Sequence, residues 1–310
     1  MTSEIRLTVA LPTYNRAGLL RQALAGITRQ DFPDDRYEVI VIDNNSHDDT
    51  GAAVAAFAAA RPAPRHLLET RQGLDHARNR AIAEARGEII VFADDDILVG
   101  PGWLRELTAP LLADTARRIG AVGGEVIPVF PDGLPPWIAE WHGPLAFRTA
   151  AGPLSPLQTP MGANLAFPRW VFATHGPFST TLDRQGQALF SGGDGEMIRR
   201  LRAAGLEIWF VPAARVLHQL PASRMTFRYA SRHAFDSARS RVVDRICQGG
   251  AFGYLASRFL GNLFKAPSFL VLALLSLMVL RTGDTKKSLV RAWRSCGYLY
   301  QILRSAMDKV

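Results

Sequence analysis

Cysteine is nearly missing from this chain: Cys247 and Cys296 are the two in 310 residues. Two cysteines cannot build a disulfide framework, and no Cys/His group has zinc spacing, so a reducing compartment is the expected setting. No internal repeat is present, and Met1 to Arg6 lead straight into an apolar run with no visible signal peptide. Hydrophobic residues at 48%, charged residues at 21%, 26 Gly and 19 Pro exclude disorder, collagen and a coiled coil. The length allows one large domain or two smaller ones with a real core.

Acidic residues are scarce in one part only. From Arg215 to the end there are 16 Lys/Arg and 4 Asp/Glu, whereas the preceding part carries 20 and 24. A mildly acidic body therefore bears a strongly basic tail. Such a tail suits nucleic acid, anionic lipid or an acidic substrate. The tail has no aromatic-interleaved groove motif, which disfavours nucleic acid.

Apolar runs at Ile5–Leu11, Val39–Ile42, His66–Glu69 and Glu88–Ala93 read as strands. Helical spacing separates them at residues 18–30, 48–60 and 74–86, and a further helix is expected from Pro101. Alternation of this kind predicts a parallel sheet covered by helices, with ligands beyond the carboxyl ends of the strands. Those ends carry Pro12-Thr13-Tyr14-Asn15-Arg16, Asp43-Asn44-Asn45-Ser46 and Asp94-Asp95-Asp96. From about 120 to 181 Pro and Gly are dense, which predicts an irregular wall over a cleft with short strands such as Ala121–Val129. A helix is expected from near Ser191 and a strand over Glu207–Val211. Residues 224–246 read as a basic helix. Within the apolar stretch 251–280, the uncharged part between Lys265 and Arg281 has 15 residues. As a helix it would span about 22 Å, short of the roughly 30 Å of a hydrocarbon core. An interfacial or re-entrant segment is expected, and a packed core helix or an oligomer interface is the alternative.

Three adjacent carboxylates repel one another, so Asp94-Asp95-Asp96 reads either as a solvated acidic turn or as a site for Mg2+ or Mn2+. Ser191 and Asp194 have capping-box spacing at a helix start.

Four segments, in order and with compatible spacing, make a resemblance specific. They are Val9-Ala10-Leu11-Pro12-Thr13-Tyr14-Asn15-Arg16, Val41-Ile42-Asp43-Asn44-Asn45-Ser46-His47-Asp48-Asp49-Thr50, Gly73-Leu74-Asp75-His76-Ala77-Arg78-Asn79 and Phe92-Ala93-Asp94-Asp95-Asp96. Together they resemble the nucleotide-binding half of a family 2 glycosyltransferase with the GT-A fold. The match continues more loosely to about residue 220. The resemblance implies an α/β, Rossmann-like, mostly parallel sheet flanked by helices over residues 1–220. Its nucleotide-binding half would be 1–120 and its sugar and acceptor half 121–220, followed by a helical, membrane-associating tail over 221–310.

The resemblance also implies roles. Pro12 and Tyr14 would pack on the nucleotide base, and Asp43 and Asn44 would hydrogen-bond it. Some relatives have a second Asp where Asn44 stands. Arg78 would lie near the diphosphate, Asp94 at the ribose, Asp95 as the variable middle residue among the donor contacts, and Asp96 on the metal. Asp194 would be the base, in a segment resembling the family's Glu-Asp-x-Glu/Asp motif but with Gly193 in place of the usual Glu. Glu196 is an alternative base or a sugar contact, His218 a metal or diphosphate contact, and Asn164 a sugar or acceptor contact.

The implied activity is inverting transfer of a sugar from a nucleotide-diphosphate sugar to a hydroxyl acceptor, lipid-linked or glycan, with Mn2+ or Mg2+ as cofactor. Gly193 and Asn44 leave a catalytically weakened nucleotide-sugar- or carbohydrate-binding module as the alternative. The expected setting is the cytoplasmic face of a membrane, peripheral or monotopic, on an anionic surface. The tail offers a surface for homo-oligomers.

Overall fold

A computed structural model describes residues 5–139, 147, 150–182, 189, 192–249 and 252–307. The chain forms two compact units. The first comprises Met1–Val129, Pro144–Thr180 and Gly193–Gln219, and the second Phe130–Gly143, Thr181–Gly192 and Leu220–Val310.

In the first unit, β1 (Leu7–Thr13), β2 (Tyr37–Asp43) and β4 (Ile89–Ala93) are buried along their whole length. Burial on both faces explains why each reads as an apolar run rather than an alternation. With β3 (Arg65–Leu68) they form the parallel order β3-β2-β1-β4. Beyond β4 the sheet becomes mixed. Here β8 (Asn164–Pro168) runs antiparallel between β4 and β6 (Ile119–Val129), β9 (Glu207–Gln219) is parallel to β6, and β5 (Ile97–Val99) and β7 (Gly152–Pro153) are antiparallel to β9. The expected strand over Ala121–Val129 is present within β6, and the same Pro- and Gly-dense segment adds β7 and β8 to the sheet.

Helices cover both faces. On one face α1 (Ala17–Ile27), α2 (Thr50–Ala55) and α4 (Trp103–Ala113) contribute Leu20, Leu24, Ile27, Val54, Trp103 and Leu107 to one core. On the other, α3 (Leu74–Glu84), α5 (Trp170–His175) and α6 (Gly193–Ala203) contribute Ala77, Ala81, Phe172, Met197, Ile198 and Leu201 to a second. α2 is shorter than the Ala-rich run predicts. After Val54 the run offers only half-buried or exposed side chains, so tertiary packing does not extend the helix. β9 is longer than predicted, with 13 residues, and it carries His218 inside a strand rather than after one.

The second unit contains α7 (Phe227–Cys247), α8 (Phe252–Met278) and α9 (Thr282–Met307), and α9 packs against both other helices. The Thr226 side chain caps α7 by accepting from the Tyr229 amide at 3.1 Å. α8 runs unbroken through Lys265 and Pro267 for 27 residues. At 1.5 Å per residue that is about 40 Å, so the length argument drawn from the 15-residue apolar stretch no longer applies. Among the described residues this is the one helix long and apolar enough to cross a membrane, and 17% of its most apolar window is buried. Phe264, Leu274 and Met278 are 70%, 62% and 80% exposed.

Gly87 fixes the start of β4 against β1. A Cβ there would lie 2.5 Å from the Leu7 carbonyl carbon and 2.6 Å from the Thr8 nitrogen. Gly87→Ala is therefore expected to cost about 1–3 kcal/mol, read as a lower midpoint in urea unfolding.

Candidate functional site

The carboxyl ends of β1, β2 and β4 meet at one edge because the three strands are parallel and in register, with Thr13 opposite Asp43. The acidic triplet follows β4 directly. Asp95 is 3% exposed, and its carboxylate accepts from Thr13 Oγ1 at 2.8 Å and Arg16 Nη1 at 2.9 Å. Burial, reinforced by Asp96, pushes the Asp95 carboxyl up to about 6, against the pull of Arg16 and Thr13. Asp95, expected among the donor contacts, is held inside the fold by these two partners.

Asp96 is 1% exposed and has a different arrangement. Arg16 Nη1 lies 3.1 Å from its Oδ2, and His218 Nε2 lies 3.0 Å from its Oδ1. The backbone builds this approach: β5 pairs with β9 so that Ile97 faces His218, and the Gln219 amide donates to the Asp96 carbonyl at 2.8 Å. The buried His218 Nε2 is close to Asp96 without hydrogen-bond alignment. Asp94, Asp96 and His218 present ligand atoms within 4.8 Å of one another. Two carboxylates and an imidazole suit a divalent cation such as Mn2+, so the residues fit the expected metal. Burial and the charge of Asp96 raise the Asp94 carboxyl above its ordinary range, against Arg78 and His218.

Arg16 was quoted in the first motif without a role. Burial opposes its charge, but Asp95 and Asp96 outweigh that and hold its pKa above the usual guanidinium value. It is the cation that makes the buried triplet tolerable.

Arg78 is buried as well. Its Nη1 donates to Asp75 Oδ1 at 3.0 Å and lies 2.7 Å from Asp194 Oδ1, an ion pair outside hydrogen-bond alignment. Its guanidinium sits 5.3 Å over the Phe178 ring, which Asn79 fixes with two hydrogen bonds to the Phe178 backbone. Arg78 was expected beside the diphosphate. Its charge is instead matched by two carboxylates at a position 3% exposed. Asp75 and Arg78, three apart on one helix face, are a pair the spacing could have revealed.

Asp194 stands in the first turn of α6, favourable to its charge. Its side chain is 30% exposed. A Cβ on Gly162 would lie 1.9 Å from Asp194 Oδ2, so the missing side chain there is what makes room for this carboxylate. Ser191, its expected capping partner, lies outside the described residues. Glu196 is engaged by Arg200, which also donates to the His175 carbonyl at 2.6 Å and so ties α6 to α5. Arg200 takes both Glu196 oxygens, which leaves neither for an acceptor proton, whereas Arg78 pairs with only one oxygen of Asp194.

Two asparagines expected at the ligand are engaged within the protein. Asn164 is fully buried: its Oδ1 accepts from Trp103 Nε1 at 2.9 Å, and its Nδ2 donates to the Ala214 and Glu125 carbonyls at 2.7 and 3.2 Å. It joins α4, β6 and β9 and has no atom left for a sugar. Asn44 donates to the Glu69 and Arg71 carbonyls at 3.1 and 2.7 Å and accepts from the Gly73 amide at 2.8 Å. Its amide closes the loop before α3 rather than reading a base. Neighbouring Asp43 accepts from the Ser46 amide at 2.8 Å and lies 3.2 Å from His66 Nε2. Pro12 is buried, and Tyr14 remains 41% exposed at the site edge.

The sequence profile of glycosyl transferase family 2 matches residues 8–172, more than half of the chain. The chain belongs to glycosyl transferase family 2. It is a glycosyltransferase that uses a nucleotide-sugar donor, and its fold is GT-A. The glycosyltransferase AglE of Haloferax volcanii is 28% identical over 98% of this chain and 99% of its own length. The GalNAc(5)-diNAcBac-PP-undecaprenol beta-1,3-glucosyltransferase of Campylobacter jejuni is 38% identical, over 29% of each chain. Among solved structures, the mannosyltransferase PcManGT of Pyrobaculum calidifontis, in complex with GDP-Man and Mn2+, aligns with a TM-score of 0.63 at 23% identity. It covers 97% of this chain and 87% of that one.

The two departures from the family pattern have local physical causes. A carboxylate at 44 could not donate to the Glu69 and Arg71 carbonyls. A Cβ at 193 would lie 2.2 Å from Asp75 Oδ2, so a carboxylate from α3 already fills the space a glutamate there would need.

Asn44→Asp is expected to leave the buried Glu69 carbonyl and the Arg71 carbonyl without their donor and to lower stability by about 1–3 kcal/mol, read by denaturant titration. Gly193→Glu alone should clash with Asp75 and depress both stability and activity, whereas Gly193→Glu with Asp75→Ala should regain a large part of each. Thermal unfolding and donor turnover of the three variants check this.

Proposed function

We propose that this glycosyltransferase inverts the anomeric centre by a single displacement, with Asp194 as base and a divalent cation at Asp94, Asp96 and His218. The observation that carries the reading is the convergence of that O,O,N donor set with the Arg78–Asp194 pair at one edge of the sheet. The charge neighbours of Asp94 include Arg78, His218 and Asp194, which puts the two groups within electrostatic reach of each other.

When bound, the cation would neutralise charge on the leaving diphosphate. Asp94, Asp96 and His218 would hold it. Arg16 takes up the charge of Asp95 and one oxygen of Asp96, leaving the other Asp96 oxygen turned to His218. Arg78 fixes Asp194 Oδ1, and Oδ2, over the bare Gly162, is the atom for the acceptor proton. Asp43 and the exposed Tyr14, at the ends of β2 and β1, border the donor base.

The acceptor proposed is membrane-borne, a lipid-linked saccharide or a lipid headgroup, met at the cytoplasmic leaflet. The basic tail and the exposed apolar face of α8 support this. α8 is long enough to span, but α9 packs along it and carries Lys286, Lys287, Arg291, Arg294 and Arg304. Crossing would draw those charges into hydrocarbon, so α8 lies in the interface with its apolar face inward. The glucosyltransferase from Campylobacter jejuni, whose name specifies an undecaprenol-linked glycan, supports the same acceptor class.

Asp194→Asn is expected to lower turnover about 10²-fold or more with donor affinity nearly intact, and Asp96→Ala to remove metal-dependent donor binding. Thermal shift against UDP-, GDP- and dTDP-sugars with Mn2+ reads the binding, and NMR of the product reads the anomer. Near-normal turnover in Asp194→Asn, or retention of configuration, rejects the mechanism.

A further inference from the structure

The second unit holds a cluster of arginines that the transfer reaction does not use. Tyr298 on α9 is 5% exposed, and its hydroxyl accepts from Arg241 Nη1 of α7 at 3.3 Å. Arg258 of α8 lies 5.8 Å over the Tyr298 ring and 5.2 Å over Tyr254. Arg245 of α7 lies 5.6 Å over the other contact surface of the group, the Tyr254 ring. Arg294 stands one turn before Tyr298 on α9. Burial raises the Tyr298 phenol, yet the hydrogen bond from Arg241 and the charges of Arg241, Arg294 and Arg258 outweigh it and bring it below its ordinary value.

Four guanidinium groups from three helices thus gather around two phenol rings. Among the described residues none of the four forms an ion pair with a carboxylate. Arg245 donates to Gln248 Oε1 at 3.1 Å, while its buried Nε has no hydrogen-bond partner. The acid on this stretch is Asp244, which has interactions of its own. Arg241, Arg258 and Arg294 are exposed, so an anion can reach the group, and a bound anion would relieve the repulsion among its like charges. Arginine forks match phosphate oxygens two at a time, and aromatic faces orient the forks. The Tyr298 hydroxyl accepts from Arg241, so its own proton is left to donate. What the anion is attached to follows from the surroundings. Arg258 opens the exposed apolar face of α8, with Leu260 57%, Leu263 48% and Phe264 70% exposed within the next two turns.

We propose that Arg241, Arg245, Arg258 and Arg294, seated on Tyr254 and Tyr298, bind the phosphate of a membrane lipid whose chains lie along α8. The site rests on the interfacial reading of α8 and deepens it from general attraction to recognition of a chemical group. One guanidinium fork takes both oxygens of a carboxylate, whereas a phosphate has further oxygens for a second fork, so several forks together favour phosphate at equal charge.

The test uses the full chain and sedimentation with vesicles of a neutral galactolipid, doped to equal surface charge with either phosphatidic acid or oleate. The wild type is expected to bind phosphatidic acid vesicles about tenfold more tightly than oleate vesicles, the size of one bidentate charged contact. The variant with Arg241→Lys, Arg245→Lys, Arg258→Lys and Arg294→Lys keeps the charge and removes all four forks. It should erase the preference while oleate binding stays within about twofold. Equal wild-type binding to both vesicles, or an undiminished preference in the lysine variant, overturns the site and leaves the interfacial reading standing. Failure of the wild type to sediment with either vesicle overturns both. Inorganic pyrophosphate without vesicles separates a lipid from a free anion: submillimolar binding that the lysine variant loses would overturn the lipid assignment.

Discussion

Three consecutive carboxylates at the buried end of β4 set the terms for everything around them. Water cannot screen Asp95 and Asp96, which are 3% and 1% exposed, so protein charges must. Arg16 arrives from the turn after β1, and Thr13 adds a hydroxyl from the last residue of that strand. His218 arrives from the far side of the sheet because β5 and β9 pair antiparallel at Ile97. The same strand register that buries the apolar core therefore assembles the donor set. Asp94, less buried than its neighbours, is left facing Arg78 and Asp194.

Glycines shape the second half of the site as much as charges do. Gly162 and Gly193 leave the volume that the carboxylates of Asp194 and Asp75 fill. A third, Gly124, lets Asn164 and the Ala214 carbonyl close over β6, where a Cβ would meet them at 2.3 and 2.0 Å. A missing side chain in one strand or helix start is thus matched by a polar side chain from another. Such pairings leave no trace in either residue alone.

How much could be read beforehand follows from which contacts are local. The strands β1, β2 and β4 were legible because full burial makes them continuous apolar runs, and the polar turns after them followed. The acidic triplet was legible for the same reason. The mixed half of the sheet was legible only in part: strands over 121–129 and 207–211 were expected, but the short β5 and β7, and β8 between β4 and β6, carry no clear period. β9 was cut short because Pro212 and Arg215 interrupt its pattern while long-range pairing with β6 sustains it. Arg16 and Asp75 stood inside recognised motifs, but their work is set by partners distant in sequence. The internal hydrogen bonds of Asn44 and Asn164 were not legible, because an amide that could address a ligand can equally close a loop, and only the positions of the carbonyls decide.

The place of His218 carries a consequence for how the protein matures. Two of the three ligand atoms come from the end of β4, early in the chain, and the third waits until β9 has been made and docked between β6 and β5. A nascent chain that has completed β1 to β4 holds acidic residues but no finished cation site. For a cation held by these three groups, affinity would arise with the last strand of the sheet, and its binding free energy would favour the finished fold. The ion would work as a latch on completed synthesis, rewarding only chains whose two halves have joined.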